Sequence, residues 1–233
     1  MPAKNSVKTY KKNSFYHIYN RGVEKRLIFQ DKQDYAVFLS YLKTYLLPKD
    51  KEQLRKLLAD ANLNYKKRDE ILRLLRLNNF AGDIKLIAYS LMPNHFHFLL
   101  KQESADAIDC FMNSLGTRYT MFFNKKYKRV GSLYQAVYKA VLVESDQQLL
   151  YLTSYIHRNP MAERRTPKEK ILSVLYSQPS SLPEYLGKRR TNWIFPEEIL
   201  TFFSDTNQRL SYESFVKQEE DIFLLKNLAI DSQ

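Results

Sequence analysis

The stretch IKLIAYSLMPNHFHFLL, residues 84–100, constrains the fold more than any other part of the chain. Its two halves are rich in aliphatic, aromatic and β-branched residues and meet at the turn pair Pro93-Asn94, so they read as two strands of a hairpin lying at the centre of a sheet. An earlier strand, FYHIYN at residues 15–20, stops at the turn signal Asn20-Arg21-Gly22, and a later one covers residues 137–143. Between the strands the apolar spacing becomes helical. Tyr35, Phe38, Leu39, Leu42, Tyr45 and Leu46 mark a helix over residues 32–47 that Pro48 closes. A second helix, capped by Ser104 and favoured by Asp106 in its first turn, carries the stripe Ile108, Phe111, Leu115, Tyr119 and Phe122 into the basic loop KKYKRVG. Ser145 and Gln148 form a capping box opening a third helix, which Pro160 stops at Asn159.

The charged, leucine-bearing stretch at residues 49–79 reads as a helical hairpin broken near residues 62–64, inserted into an otherwise regular order. Without it the order is βαββαβ plus one appended helix, an α+β fold with a ferredoxin-like core and an antiparallel sheet. The insertion carries a net charge of +4. After Pro160 only EEILTFF and YESFVKQ suggest short helices, so residues 161–233 are expected to be a helical extension packed on a main domain of residues 1–160.

Composition narrows the class of partner. The net charge is +12, with 44% hydrophobic and 14% aromatic residues, which excludes a disordered basic tail and favours a folded protein with an anionic partner. One cysteine, Cys110, allows neither an internal disulfide nor a cysteine-based zinc site, and a reducing, cytoplasmic location is expected. No run approaches the ~18 apolar residues of a membrane span, and the basic start lacks the apolar core of a signal peptide, so no membrane partner is expected.

His95 and His97 are the sharpest chemical feature. Two residues apart in a strand, both imidazoles project from one face while Phe96 and Phe98 fill the other. Neutral imidazoles side by side suit a metal ion; an isolated H-x-H is equally read as a hydrogen-bonded surface pair. Tyr155 and Asn159, four apart on the last helix, lie one turn above each other and could bring a phenol and an amide oxygen to that metal. Periodicity alone equally makes them a boundary tyrosine and a helix terminator. His17 and His157 read as core or surface residues outside the site. Lys125, Lys126, Lys128 and Arg129 interleave with Tyr127 and precede Tyr134, the mixture of cations and rings that binds single-stranded nucleic acid. Lys139 and Arg158 add cations near the histidines. A solvated helix end explains any one of these residues as well, but not the cluster.

Four segments then carry a resemblance: FYHIYNRG (residues 15–22), LMPNHFHFLL (91–100), RYTMFFNKKYKRVGSLYQ (118–135) and SYIHRNP (154–160), with a weaker echo over residues 180–187 and at Trp193. In this order they resemble the REP-associated tyrosine transposases, single-tyrosine members of the HUH (His-hydrophobe-His) nuclease superfamily. The resemblance implies a metal-dependent endonuclease and strand transferase acting on single-stranded DNA at or near repeat hairpins, in a cytoplasmic, nucleoid-associated setting. It implies His95, His97 and Asn159 as ligands of Mg²⁺ or Mn²⁺, and Tyr155 as the nucleophile that leaves a 5′-phosphotyrosine and a free 3′-OH. Arg21, in the early turn, joins the DNA-binding residues. No nucleotide cofactor is needed, and the chain acts as a monomer or homodimer. The chain departs from the pattern in YQAVYKA (134–140), where Ala136 and Val137 stand in place of Gly and Arg. Two other readings stay open: a domesticated, non-catalytic hairpin binder, and a phosphodiesterase that uses water and leaves Tyr155 dispensable.

Overall fold

In the computed structural model, which describes residues 10–162 and 179–217, the strands β1 (Ser14–Arg21), β2 (Ile84–Met92), β3 (His95–Gln102) and β4 (Lys139–Leu142) form one sheet. All pairings are antiparallel, in the order β2-β3-β1-β4. With α1 (Lys32–Leu46) before β2 and α4 (Ala107–Lys126) before β4, this is the ferredoxin-like βαββαβ arrangement, and α5 (Asp146–Ala162) follows it.

Alternation along β3 divides the molecule into layers. Phe96, Phe98 and Leu100 point to one face, where they pack with Phe38, Leu42 and Tyr45 of α1 and Phe111, Leu115 and Tyr119 of α4. Leu99, with Ile87 and Ala88 of β2, points to the other, under Leu149, Leu152 and Ile156 of α5. Each such fully buried side chain contributes roughly 1.5–3 kcal/mol of transfer free energy, so α5 is held on the sheet by apolar contact before any polar group acts.

Only β3 and β1 are central; β2 is an edge strand, contrary to the expected place of the whole hairpin. Its outer edge is covered by later chain: Leu91 N–H donates to Pro179 O at 2.9 Å, and Ser181 and Phe195 N–H donate to Tyr89 O and Leu86 O at 3.0 Å each. An apolar sequence here reflects that cover, not a central position.

The inserted hairpin is α2 (Lys51–Leu58) and α3 (Tyr65–Arg76), capped by Asp50 and Asn64. Of the two helices only Ile71 is buried, so the pair does not lie flat on the sheet. Asn79 ties its neck: the Nδ2 group donates to Leu47 O at 2.7 Å and Tyr45 O at 3.3 Å.

Several local expectations are corrected. Ser104 does not cap α4; its hydroxyl donates to Asp83 Oδ1 at 3.2 Å, and the helix begins at Ala107. The buried stripe of α4 ends at Phe123, with Phe122 only partly buried, because the helix continues through Lys125 and Lys126. Strand β4 starts at Lys139, leaving Val137 exposed. The cap of α5 forms with a displaced return bond: Gln148 N–H donates to Ser145 Oγ at 3.2 Å, but Glu144 N–H, not that of Ser145, donates to Gln148 Oε1 at 2.9 Å. Helix α5 also runs through Pro160 to Ala162. A proline there forfeits the bond to the carbonyl of Ile156, a limited loss when the helix ends two residues later. EEILTFF and YESFVKQ contribute the short helices Glu197–Leu200 and Tyr212–Lys217. Among the described residues no helix is long and apolar enough to cross a membrane.

Candidate active site

Register assembles the site. In the β1–β3 ladder Arg21 lies opposite His95, Tyr19 opposite His97 and His17 opposite Leu99. Opposed residues share a face, so Arg21, Tyr19 and His17 join the two histidines on the α5 side, and Lys139, opposite Tyr19, extends the row onto β4. The end of β1 is fixed at Gly22, whose N–H donates to Asn94 O at 2.8 Å. A Cβ at Gly22 would stand 2.3 Å from Arg26 O, so only glycine permits this approach.

Helix α5 brings Tyr155 and Asn159 over the histidines. Asn159 Oδ1 is 3.0 Å from His95 Nε2. The Tyr155 ring stands edge-on to His97 at 5.4 Å between centroids and to His17 at 6.1 Å. The His95 and His97 rings are 5.0 Å apart and perpendicular, at 88°. All these side chains are buried: His17 and His97 are fully so, and Tyr155, the most accessible, is 8% exposed.

Hydrogen bonds account for three of the four nitrogens of His95 and His97. His95 Nδ1 is 2.6 Å from Asn94 Oδ1, and its Nε2 faces Asn159 Oδ1. A neutral imidazole has one N–H, so with Nδ1–H donated to Asn94 Oδ1 its Nε2 keeps a lone pair on the Asn159 side. His97 Nδ1 is 2.8 Å from His17 Nε2, whereas His97 Nε2 is buried without a hydrogen-bond partner. Burial, followed by the repulsion of His95, His17 and Arg21, holds the His97 pKa well below the usual imidazole range, so the ring is neutral and Nε2 can offer a lone pair. An unpaired buried nitrogen, an adjacent imidazole and an amide oxygen fit a divalent cation. Among the described residues no group of three His, Cys, Asp or Glu is arranged to hold one, so this mixed set is the candidate.

The proposed DNA contacts divide. Arg21 and Lys139 lie on the site face, and Arg158 adjoins Asn159 on α5 with one guanidinium nitrogen buried and without a hydrogen-bond partner. Lys125 and Lys128 are exposed. Three others are engaged within the fold. Lys126 Nζ bonds Asp31 and Asp34, each at 2.7 Å, at the start of α1. Burial opposes its charge, but the bonds to Asp31, Asp34 and Tyr127 outweigh it and raise its pKa. Arg129 bonds Asn124 Oδ1 at 2.9 Å, closing the end of α4. Tyr134 packs edge-on against Phe96, partly buried, with its hydroxyl enclosed, which pushes its pKa up.

Sequence reasoning set aside His17, which the fold places in the cluster. The available signal was FYHIYN paired antiparallel with HFHFLL, which puts alternate residues of both on one face. His157 is a core residue, as expected: its nitrogens lie 2.7 Å from Tyr212 Oη and 2.8 Å from Ser181 Oγ.

Comparison with known proteins follows the same region. The family model described as "Transposase IS200 like" matches residues 37–159, more than half of the chain. The structure of a REP-associated tyrosine transposase bound to a REP hairpin is similar at 12% identity and a TM-score of 0.43, covering 88% of this chain and 94% of that one. A putative transposase from Deinococcus radiodurans R1 is similar at 15% identity and a TM-score of 0.25, covering 64% and 91%. No curated protein matches the chain.

Proposed function

This chain belongs to the family of IS200-like transposases, and on that premise we propose that it is a single-tyrosine nuclease and strand transferase for single-stranded DNA at hairpins. Tyr155 is its nucleophile; His95, His97 and Asn159 hold Mg²⁺ or Mn²⁺. The observation that carries this reading is the meeting of two β3 histidines with an α5 phenol and amide in one buried cluster, where His97 Nε2 has no protein hydrogen-bond partner.

A bound divalent ion supplies Lewis acidity at the scissile phosphate and orients it. The residues of the chain do the rest. Tyr155 Oη attacks phosphorus; the Oη–P bond forms, the P–O3′ bond breaks, the phenol loses its proton and the departing 3′ oxygen gains one. The 5′-phosphotyrosine keeps the ester energy, so attack by a 3′-OH reverses the step and joins strands without ATP. Packing of Tyr155 against His17 and His97 restricts its rotamers, so little orientational entropy remains to be lost on attack. Arg21 and Lys139, on the same face, are suited to phosphate oxygens. Tyr155 meets the histidines within one chain, so a single copy suffices for cleavage.

The test uses labelled single-stranded hairpin oligonucleotides with Mg²⁺ or Mn²⁺. A denaturation-resistant protein–DNA adduct is expected, lost in Tyr155→Phe and His97→Ala. Cleavage by Tyr155→Phe at the parental rate refutes the tyrosine mechanism in favour of water. Tight hairpin binding with no cleavage, across a panel of hairpins and both metals, supports a non-catalytic binder.

A further inference from the structure

One polar residue of the cluster has no part in that chemistry. His17 lies on β1, fully buried, and its Nε2 is 2.8 Å from Nδ1 of His97. The two ring planes are nearly parallel, at 16°, with centroids 5.1 Å apart. Tyr19 lies 4.9 Å away along the same strand, and the Tyr155 ring meets His17 edge-on from α5. His17 is thus held by its neighbours, and it faces the side of His97 opposite the proposed ligand nitrogen.

We infer that His17 is a positioning residue that accepts a hydrogen bond from His97 Nδ1–H, fixing the plane and tautomer of that ring so that Nε2 is left open to the metal; this rests on the metal-site reading above. Between two neutral imidazoles the Nε2···Nδ1 contact holds one hydrogen. If His17 carries it, the remaining hydrogen of His97 sits on Nε2 and blocks a cation. If His97 carries it on Nδ1, Nε2 presents a lone pair. Only the second arrangement binds metal, and it requires an acceptor at the position of His17 Nε2. Partners of this kind behind a ligand imidazole orient the ring and raise its basicity, and their loss lowers metal affinity by about 10–100-fold. Tyr19, directly opposite His97 in the ladder, offers no ring nitrogen to accept that hydrogen.

The test compares the parent protein with His17→Leu and His17→Gln. Leucine removes the acceptor; glutamine places an amide near the position of Nε2. Mn²⁺ affinity is read from free-Mn²⁺ electron spin resonance in the absence of DNA, after thermal melts in chelator have shown each variant folded. His17→Leu should bind Mn²⁺ about 10–100-fold more weakly, and His17→Gln should recover most of that loss. Leucine binding as the parent does, or leucine and glutamine losing affinity equally, overturns the assignment while leaving the metal site intact. A parent that binds no Mn²⁺ overturns the metal-site reading and this inference with it. A second measurement needs no variant: long-range ¹H–¹⁵N spectra of the Mg²⁺-saturated parent should show His97 protonated at Nδ1 and bare at Nε2. A His97 protonated at Nε2 in that sample overturns the inference even if the variants fail to fold.

Discussion

Acid should loosen the helix that carries Tyr155 and Asn159, through His157. This residue is fully buried between Tyr212 and Ser181, and burial pushes its pKa down to about 3. The unfolded chain binds the same proton with a pKa near 6.5. A depressed histidine pKa means that the folded state favours the neutral ring, so this contribution is complete above pH 6.5 and is lost as the pH falls toward 3. The slope is about 1.4 kcal/mol per pH unit, which gives a loss of about 2 kcal/mol at pH 5. That value stays the same for any folded pKa below about 4, because at pH 5 only the unfolded state takes up the proton. For a chain of this size it corresponds to roughly 4–8 °C in Tm. The assay is calorimetry of the parent and His157→Gln at pH 7.5 and pH 5.0. The variant begins lower, having lost packing, but its Tm should fall less on acidification by that margin. Carboxylates and His97 contribute equally to both proteins and cancel in the double difference. Equal falls in the two proteins would refute the argument and would mean that His157 reaches solvent in the folded state.

Further outcomes follow from the same geometry. Mn²⁺ at about 100 times its Kd should stabilise the parent by about 2.7 kcal/mol, roughly 5–10 °C, and leave His97→Ala unmoved; an equal shift in both would place the metal elsewhere. Gly22→Ala forces a Cβ to 2.3 Å from Arg26 O, so urea denaturation should show a loss of about 1–3 kcal/mol, and weaker Mn²⁺ binding because Asn94 and His95 adjoin that contact. Lys126→Gln strips the cation from Asp34, which is fully buried; stability should fall by about 1–3 kcal/mol, with little change in DNA affinity by fluorescence anisotropy.

Much of the fold is local information. Apolar spacing placed the strands and helices in order, and the two-residue period of a strand put His95 and His97 on one face whatever that strand paired with. The four-residue interval from Tyr155 to Asn159 likewise needs only a helix. Boundaries were less legible where a competing partner intervened: Asp83 takes the Ser104 hydroxyl from the cap of α4, and Pro160 only thins the end of a helix already held down by Leu149, Leu152 and Ile156. The basic residues of 125–129 illustrate the limit most clearly, since a lysine in sequence carries no sign of whether a carboxylate such as Asp34, 92 residues away, will occupy it.

What the sequence determined by itself is the set of chemically competent groups and the face each presents on its own element, because those depend on backbone periodicity over a few residues. Only the tertiary structure decided which faces meet. The register of β1 against β3 drew His17 to within 2.8 Å of His97, and the packing of α5 across the sheet set Asn159 against His95 and Tyr155 against His97. Those juxtapositions come from hydrogen-bond ladders and apolar burial between segments up to about 140 residues apart, and periodicity within a segment carries no record of them.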